Sequence, residues 1–483
     1  MRKKSFATWT LPLWCALALA ASPERHAARD VSPFDPTPWL EDLAQVREAV
    51  ATKYANIEWV VFSRELNLTV LFDETAQRIR LATTAAEARA AFDRLARRFD
   101  DGHVQFRWPQ GQPHSQAPQG RCAALGFDAR MFGTPIAALL PGYEPLSSAP
   151  ASEFPAGLIT VQGRRIGVLK IGIFTPQGVP ELCERALADL RIGPAAACDD
   201  ACAERITHWA ADCMTRDLEA QILALQGAGA EVLLVDIAQN GGGTEWAEAA
   251  ARMLTTVRLH SERLGFVRGE HWAQALGDQS ELEAAARGAQ EQDRVLLTQL
   301  VQQTAAARLE AQSVCDSAPL WSGQPLKCRW LGQGLYATGL LSAADPARLR
   351  GKLWAARVFT PAKFNYREGV WSGPLVLLVD GGTGSAAAEF AAVLQDNHAA
   401  TLIGAPAAGG CGHTNGGTPT HLRNSGAVLE LPDCARFRAD GSNEMDGIVP
   451  DVLVGLREAD GPHREALKVS QKLAEAVALA AKR

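Results

Sequence analysis

Ser385 lies in the stretch LVLLVDGGTGSAAAEFAAVLQDN (375–397), where five aliphatic residues run into Asp380, the chain turns through Gly381, Gly382, Thr383 and Gly384, and a helical sequence begins. A serine at a helix start is most often a cap whose hydroxyl satisfies an unpaired amide. The position also suits chemistry. Free amides and the positive end of the helix dipole gather there, so a negative charge developing on a carbonyl oxygen can be held, with the Ala386 N–H as one donor. Two competing motifs fail. Residues 382–387 fit G-x-G-x-x-A after a strand, but a dinucleotide site also wants an acidic residue about 20 positions on, and Leu402, Ile403, Gly404, Ala405 and Pro406 supply none. The G-x-S-x-G elbow is broken by Thr383 and Ala387.

The elements around this stretch read as follows. VLLVDIAQNGGGTEWAEAAARML repeats the order of buried strand, glycine-rich turn and helix. Two such units in one chain predict an α/β core of strands covered by helices. RRIGVLKIGIFTP (164–176) adds a strand, and 181–228 reads as mostly helical. Upstream, Leu40, Leu43, Val46 and Val50 recur at helical spacing, and AEARAAFDRLARRF is rich in helix formers, so residues 37–105 are expected to form a helical N-terminal domain. It ends in DDGHVQFRW, where Asp100, Asp101 and Gly102 stop the helix and Val104, Phe106 and Trp108 alternate as in a strand. The core is expected over 161–255 and 356–460, interrupted by an inserted helical subdomain over 256–355. Its Cys315 and Cys328 bracket a loop containing Trp321, and it either caps a cleft or elaborates the surface. A β-rich connecting region (106–160) and a C-terminal helix (461–483) complete the division.

The 483-residue chain is long enough for two or three folding units, and 47% hydrophobic with 21% charged residues is ordinary globular composition. The start, MRKKSFATWTLPLWCALALAASPER, has a basic head, an apolar run from Leu11 to Ala21 and small residues suited to signal peptidase. It predicts an export signal over 1–20, then a flexible leader over 21–36. The run is shorter than the roughly 20 residues a membrane span needs, and Trp14 before Cys15 argues against lipidation. Removing Arg2, Lys3 and Lys4 moves the formal net charge from -6 to -9, which argues against a nucleic-acid or anionic-membrane partner. Nine of the ten cysteines remain. In an oxidising compartment they suggest disulfides, with at least one free thiol, and the spacing of Cys183, Cys198, Cys202 and Cys213 gives little support to zinc.

Four separated motifs carry a resemblance. GPLVLLVDGGTGSAAAEFAAVLQDN followed by ATLIGAPAAGG, then GIVPD (447–451), VLLVDIAQNGGG and LARRFDDGHVQF together resemble the C-terminal processing proteases, the tail-specific and tricorn-like serine peptidases, over about residues 36–455. The resemblance implies a ClpP/crotonase-like core and a nucleophilic Ser385. Many members activate that serine with a lysine in a G-K-G turn about 25 residues downstream. Here the stretch reads Gly409-Gly410-Cys411-Gly412, so no lysine is available.

The tricorn-like branch instead uses an N-terminal histidine and a glutamate before G-[IV]-x-P-D, and this chain has His103 and Glu444 at those places. The implied roles are His103 as general base and acid and Glu444 as the acceptor that fixes its tautomer. Ala386 and the Asn240-Gly241-Gly242-Gly243 turn are expected to form the oxyanion hole, with Gly242 favoured over Gly243. The family's arginine after the strand aspartate is Ala238 here. His413 and His398 are the rival bases. Too few residues stand between the N-terminal domain and the core for an intact PDZ domain, so selectivity for C-terminal tails does not carry over. The expected protein is a periplasmic or extracellular serine endopeptidase acting on peptides or proteins, with no cofactor and no metal. A catalytically idle binding protein on the same scaffold is the alternative.

Overall fold

The computed structural model describes residues 34–109, 120–127, 135–146, 152–193, 196–413, 419–457 and 459–483. The expected export signal and most of the leader lie outside them. The strands are β1 (Gln105–Arg107), β2 (Glu144–Pro145), β3 (Ala156–Val161), β4 (Arg164–Lys170), β5 (Val232–Asp236), β6 (Arg263–Val267), β7 (Leu331–Tyr336), β8 (Leu375–Val379), β9 (Thr401–Gly404), β10 (Thr420–His421), β11 (Val428–Glu430), β12 (Cys434–Phe437) and β13 (Val452–Leu453).

VLLV of β5 and LVLLV of β8 are apolar throughout because both faces of these strands are covered, and the Asp236 that ends β5 is buried with Lys170. β5 and β8 sit side by side near the middle of a seven-stranded sheet ordered β13-β9-β8-β5-β4-β3-β2. The run from β13 to β4 is parallel, and β3 and β2 close one edge antiparallel. Alternate residues divide between two cores. Val232, Leu234, Val376, Leu378 and Ile403 meet Ala466, Val469 and Leu473 of the C-terminal helix Pro462–Ala480. Leu233, Val235, Leu377, Val379 and Leu402 face the helices Asp200–Gly227, Trp246–Met253 and Ala386–Asp396. β2 and β3, from the expected connecting region, belong to this sheet.

The N-terminal segment folds as α1 (Thr37–Lys53), α2 (Ile57–Phe62), α3 (Leu68–Leu81) and α4 (Ala85–Arg97). Asn67 caps α3 by accepting the Val70 N–H at 3.0 Å, and Thr84 caps α4 by accepting the Glu87 N–H at 3.2 Å. Their apolar faces, with Val46, Tyr54, Ile57, Phe72 and Phe92, share a core with Leu429 and Leu431 from the far end of the chain. β1 also pairs with β11, so residues near 100 are held against residues near 430.

The segment 256–355 carries the long helix the sequence suggests, Glu291–Gln312, and two strands besides. β6 and β7 form a three-stranded antiparallel sheet with β12, which joins this segment to the core. Disulfides link Cys122 to Cys183, Cys198 to Cys202, Cys315 to Cys328 and Cys411 to Cys434. Cys213 is free and buried. Among the described residues no helix is long and apolar enough to cross a membrane.

Candidate active site

Ser385 follows β8 and begins the helix Ala386–Asp396, but its side chain makes no capping bond. Its backbone has φ 52° and ψ −125°. This left-handed conformation is rare for a residue with a side chain, costs about 1–3 kcal/mol and clusters at functional sites. The hydroxyl oxygen lies 3.2 Å from Nε2 of His103.

His103 is placed by the turn that ends α4. Asp100 takes φ 53°, and buried Asp101 accepts the His103 backbone N–H at 3.0 Å. Asp101 is held in turn by the Tyr54 hydroxyl at 3.1 Å and the Asn56 amide at 3.5 Å. Burial, with the Asp101 charge beside it, pushes the Tyr54 phenol well above its usual range, so the phenol stays protonated and donates. Two bonds dock these helices on the loop that carries Glu444. The Asn443 amide donates to Asn56 at 3.0 Å, and the Trp59 indole donates to Asp446 at 2.8 Å.

The expected bond between His103 and Glu444 is not made. Fully buried Glu444 is held elsewhere, its Oε2 accepting from Arg436 Nε at 2.6 Å and from the Gly410 N–H at 3.0 Å. The carboxylate within reach of His103 Nδ1 is Asp101, at 3.5 Å. Glu444 Oε1 and His103 Nδ1 are both buried without a hydrogen-bond partner. Gly410 stands beside both residues, its N–H on Glu444 Oε2 and a Cβ built on it 3.3 Å from His103 Nδ1.

The turn 240–243 abuts the serine. A Cβ on Gly242 would fall 2.6 Å from Ser385 Cβ and 2.9 Å from the Ala386 nitrogen, so only glycine fits. The Gly242 N–H is given to the Asn240 side chain at 2.9 Å. The bridge between Phe174 and Gly243 uses the Gly242 carbonyl and the Thr244 N–H. The N–H groups of Gly243 and Ala386 therefore meet no acceptor among the described residues. Asn240 also takes the Gly384 N–H on its carbonyl at 3.0 Å, tying the two turns together.

The rival histidines stand apart. His413 Nδ1 is 2.5 Å from Asp433 and its ring packs on Trp272. His398 follows the far end of the serine's own helix, roughly 18 Å along its axis at 1.5 Å per residue. Cys411, at the place of the family's lysine, is buried in its disulfide. Where the family has an arginine, the Ala238 carbonyl accepts from buried Lys170 at 2.6 Å, and Lys170 pairs with Asp236. Three residues were missed by sequence reasoning. Asp101 was signalled only by its place two residues before His103, Asn240 was seen only as part of a turn, and Arg436 had no local signal.

Residues 205–454 match the model of peptidase family S41, about half of the chain. The chain belongs to peptidase family S41. Among solved structures this S41 chain is similar to mature CPAF, with a TM-score of 0.58 at 12% identity, covering 92% of this chain and 98% of that one. It is also similar to mature CPAF complexed with lactacystin, with a TM-score of 0.56 at 13% identity and coverage of 92% and 99%. At such identities the likeness shows the fold. No curated protein matches the chain. The mixed sheet covered by helices, with a helical N-terminal region, is the architecture of these S41 neighbours.

Proposed function

We propose that this S41 member is an exported serine endopeptidase in which Ser385 is the nucleophile and His103 its base. The observation that carries the reading is the 3.2 Å approach of Ser385 Oγ to His103 Nε2, made by an uncapped serine in a strained conformation. Nε2 takes the hydroxyl proton as Oγ bonds to the scissile carbonyl carbon. The oxyanion is held by the N–H groups of Ala386 and Gly243. On collapse the carbon–nitrogen bond breaks and His103 gives its proton to the leaving amine. Water then loses a proton to His103 and attacks the acyl-enzyme, freeing the acid and returning the proton to Ser385.

Glu444 is the third member in this reading. Its Oε1 and His103 Nδ1 are both buried without a hydrogen-bond partner, and its Oε2 holds the N–H of Gly410, the residue that packs against the imidazole. Four disulfides agree with an oxidising compartment. Segment 256–355, joined to the core through β12, is the candidate for selecting peptide substrates.

A fluorophosphonate probe followed by peptide mass mapping tests the reading. Modification of Ser385 in the wild-type chain, lost in Ser385→Ala, is expected. A folded chain that stays unmodified would instead be the idle binding protein.

A further inference from the structure

Arg436 projects from β12 into the base of the site, with its side chain 5% exposed. Its Nη2 donates to the Ser385 carbonyl at 3.0 Å and to the Gly410 carbonyl. Its Nη1 donates to Glu389 and its Nε to Glu444 at 2.6 Å. One planar fork thus touches the nucleophile's own peptide, the helix behind it, the loop crossing the imidazole and the glutamate that holds that loop. Glu262 stands 3.9 Å away and also faces Arg438, which pairs with Asp396.

We infer that Arg436 is a positioning residue that sets the strained backbone of Ser385 and fixes the 409–412 loop against His103, so that hydroxyl and imidazole meet. The inference rests on the reading of Ser385 as the nucleophile. A serine at φ 52° relaxes unless its surroundings over-determine it, and the Ser385 carbonyl is pinned by the same guanidinium that pins Gly410. The loop needs such a tie because it passes very close to the pair. A Cβ on Gly412 would lie 3.1 Å from His103 Nε2 and 3.5 Å from Ser385 Oγ. A lysine in place of Arg436 keeps the charge, but its single nitrogen has three hydrogens on one centre and cannot span four acceptors on different elements. Buried as it is, Arg436 acts through these partners and does not touch substrate.

The test compares Arg436→Lys with Arg438→Lys, which gives up the forked contact of a neighbouring arginine with Asp396 and Gln395 without touching Ser385 or Gly410. The readouts are the rate of fluorophosphonate labelling per folded molecule and the thermal midpoint. Arg436→Lys is expected to label about 100-fold more slowly and, on a peptide substrate, to lose kcat with KM nearly unchanged. Arg438→Lys is expected to lower the thermal midpoint while labelling at close to the wild-type rate. A folded Arg436→Lys that labels like wild type, or an Arg438→Lys slowed equally, overturns the inference. If Arg436→Lys does not fold, Glu389→Asp serves, since it withdraws one acceptor of the fork without changing charge. It should label about tenfold more slowly, and a wild-type rate overturns the inference. If only the variants fail to differ, Ser385 remains the nucleophile and the positioning role falls. If the wild-type chain is not labelled at all, both fall together.

Discussion

Ser385 and His103 are far apart in sequence and 3.2 Å apart in space, and the chemistry assigned to them is separable by substitution. His103→Ala is expected to lower kcat by about 10⁴-fold or more, the scale found when a triad member is removed. His413→Ala, with its ring on Asp433 and Trp272, should leave kcat within about twofold. Glu444→Gln keeps an acceptor for the Gly410 N–H and removes the charge, so roughly a 10²-fold loss in kcat with little change in KM is expected. No loss would strip Glu444 of its place. Ser385 and His103 were legible because each sits in a short motif that ends one element and begins another. The partners of Glu444 were not, because Arg436 and Gly410 are brought to it by the pairing of β12 with β6 and by the close packing of the loop.

Two neighbouring elements keep the pair in register, and each makes a prediction. The turn 240–243 leaves no room beside the serine, so Gly242→Ala, with φ +113° and a Cβ 2.6 Å from Ser385 Cβ, should abolish labelling even in protein that circular dichroism shows to be folded. The loop 409–412 is held at its far side by the disulfide between Cys411 and Cys434, 23 residues apart. Replacing both cysteines by alanine should cost about 3 kcal/mol of stability in denaturant unfolding. β5 and β8 were legible as strands because each is an unbroken aliphatic run that meets an aspartate and a glycine-rich turn. The sheet of β6, β7 and β12 was not, for RLGFV, LGQGLY and CARF break their apolar pattern with arginine, glutamine and glycine, and two of them lie inside a segment dominated by helical sequence. Its consequence is large, since β12 carries Arg436 and Cys434.

Across the whole molecule, the layer beneath the site holds more buried carboxylates than guanidinium groups to match them. Glu262, Glu389 and Glu444 face Arg436. Burial pushes the Glu389 carboxyl up to about 8 despite the opposing pull of Arg436, and pushes Glu262 well above its usual range, with the Glu444 charge adding to it. Acids raised on folding bind more protons in the native state than in the unfolded chain, so stability declines as pH climbs from about 4.5 through about 8. The thermal midpoint is therefore expected to fall between pH 5.5 and pH 8.5, with a flatter profile in Glu389→Gln. A midpoint that rises over that range would contradict the charge assignment.

The account turns on an imidazole from the N-terminal helical region serving a serine at the start of a core helix. The most direct measurement is the second-order rate of fluorophosphonate modification of Ser385 in the wild-type chain and in a folded His103→Ala. The account predicts a rate lower by several orders of magnitude in His103→Ala. Equal rates in the two proteins would contradict it.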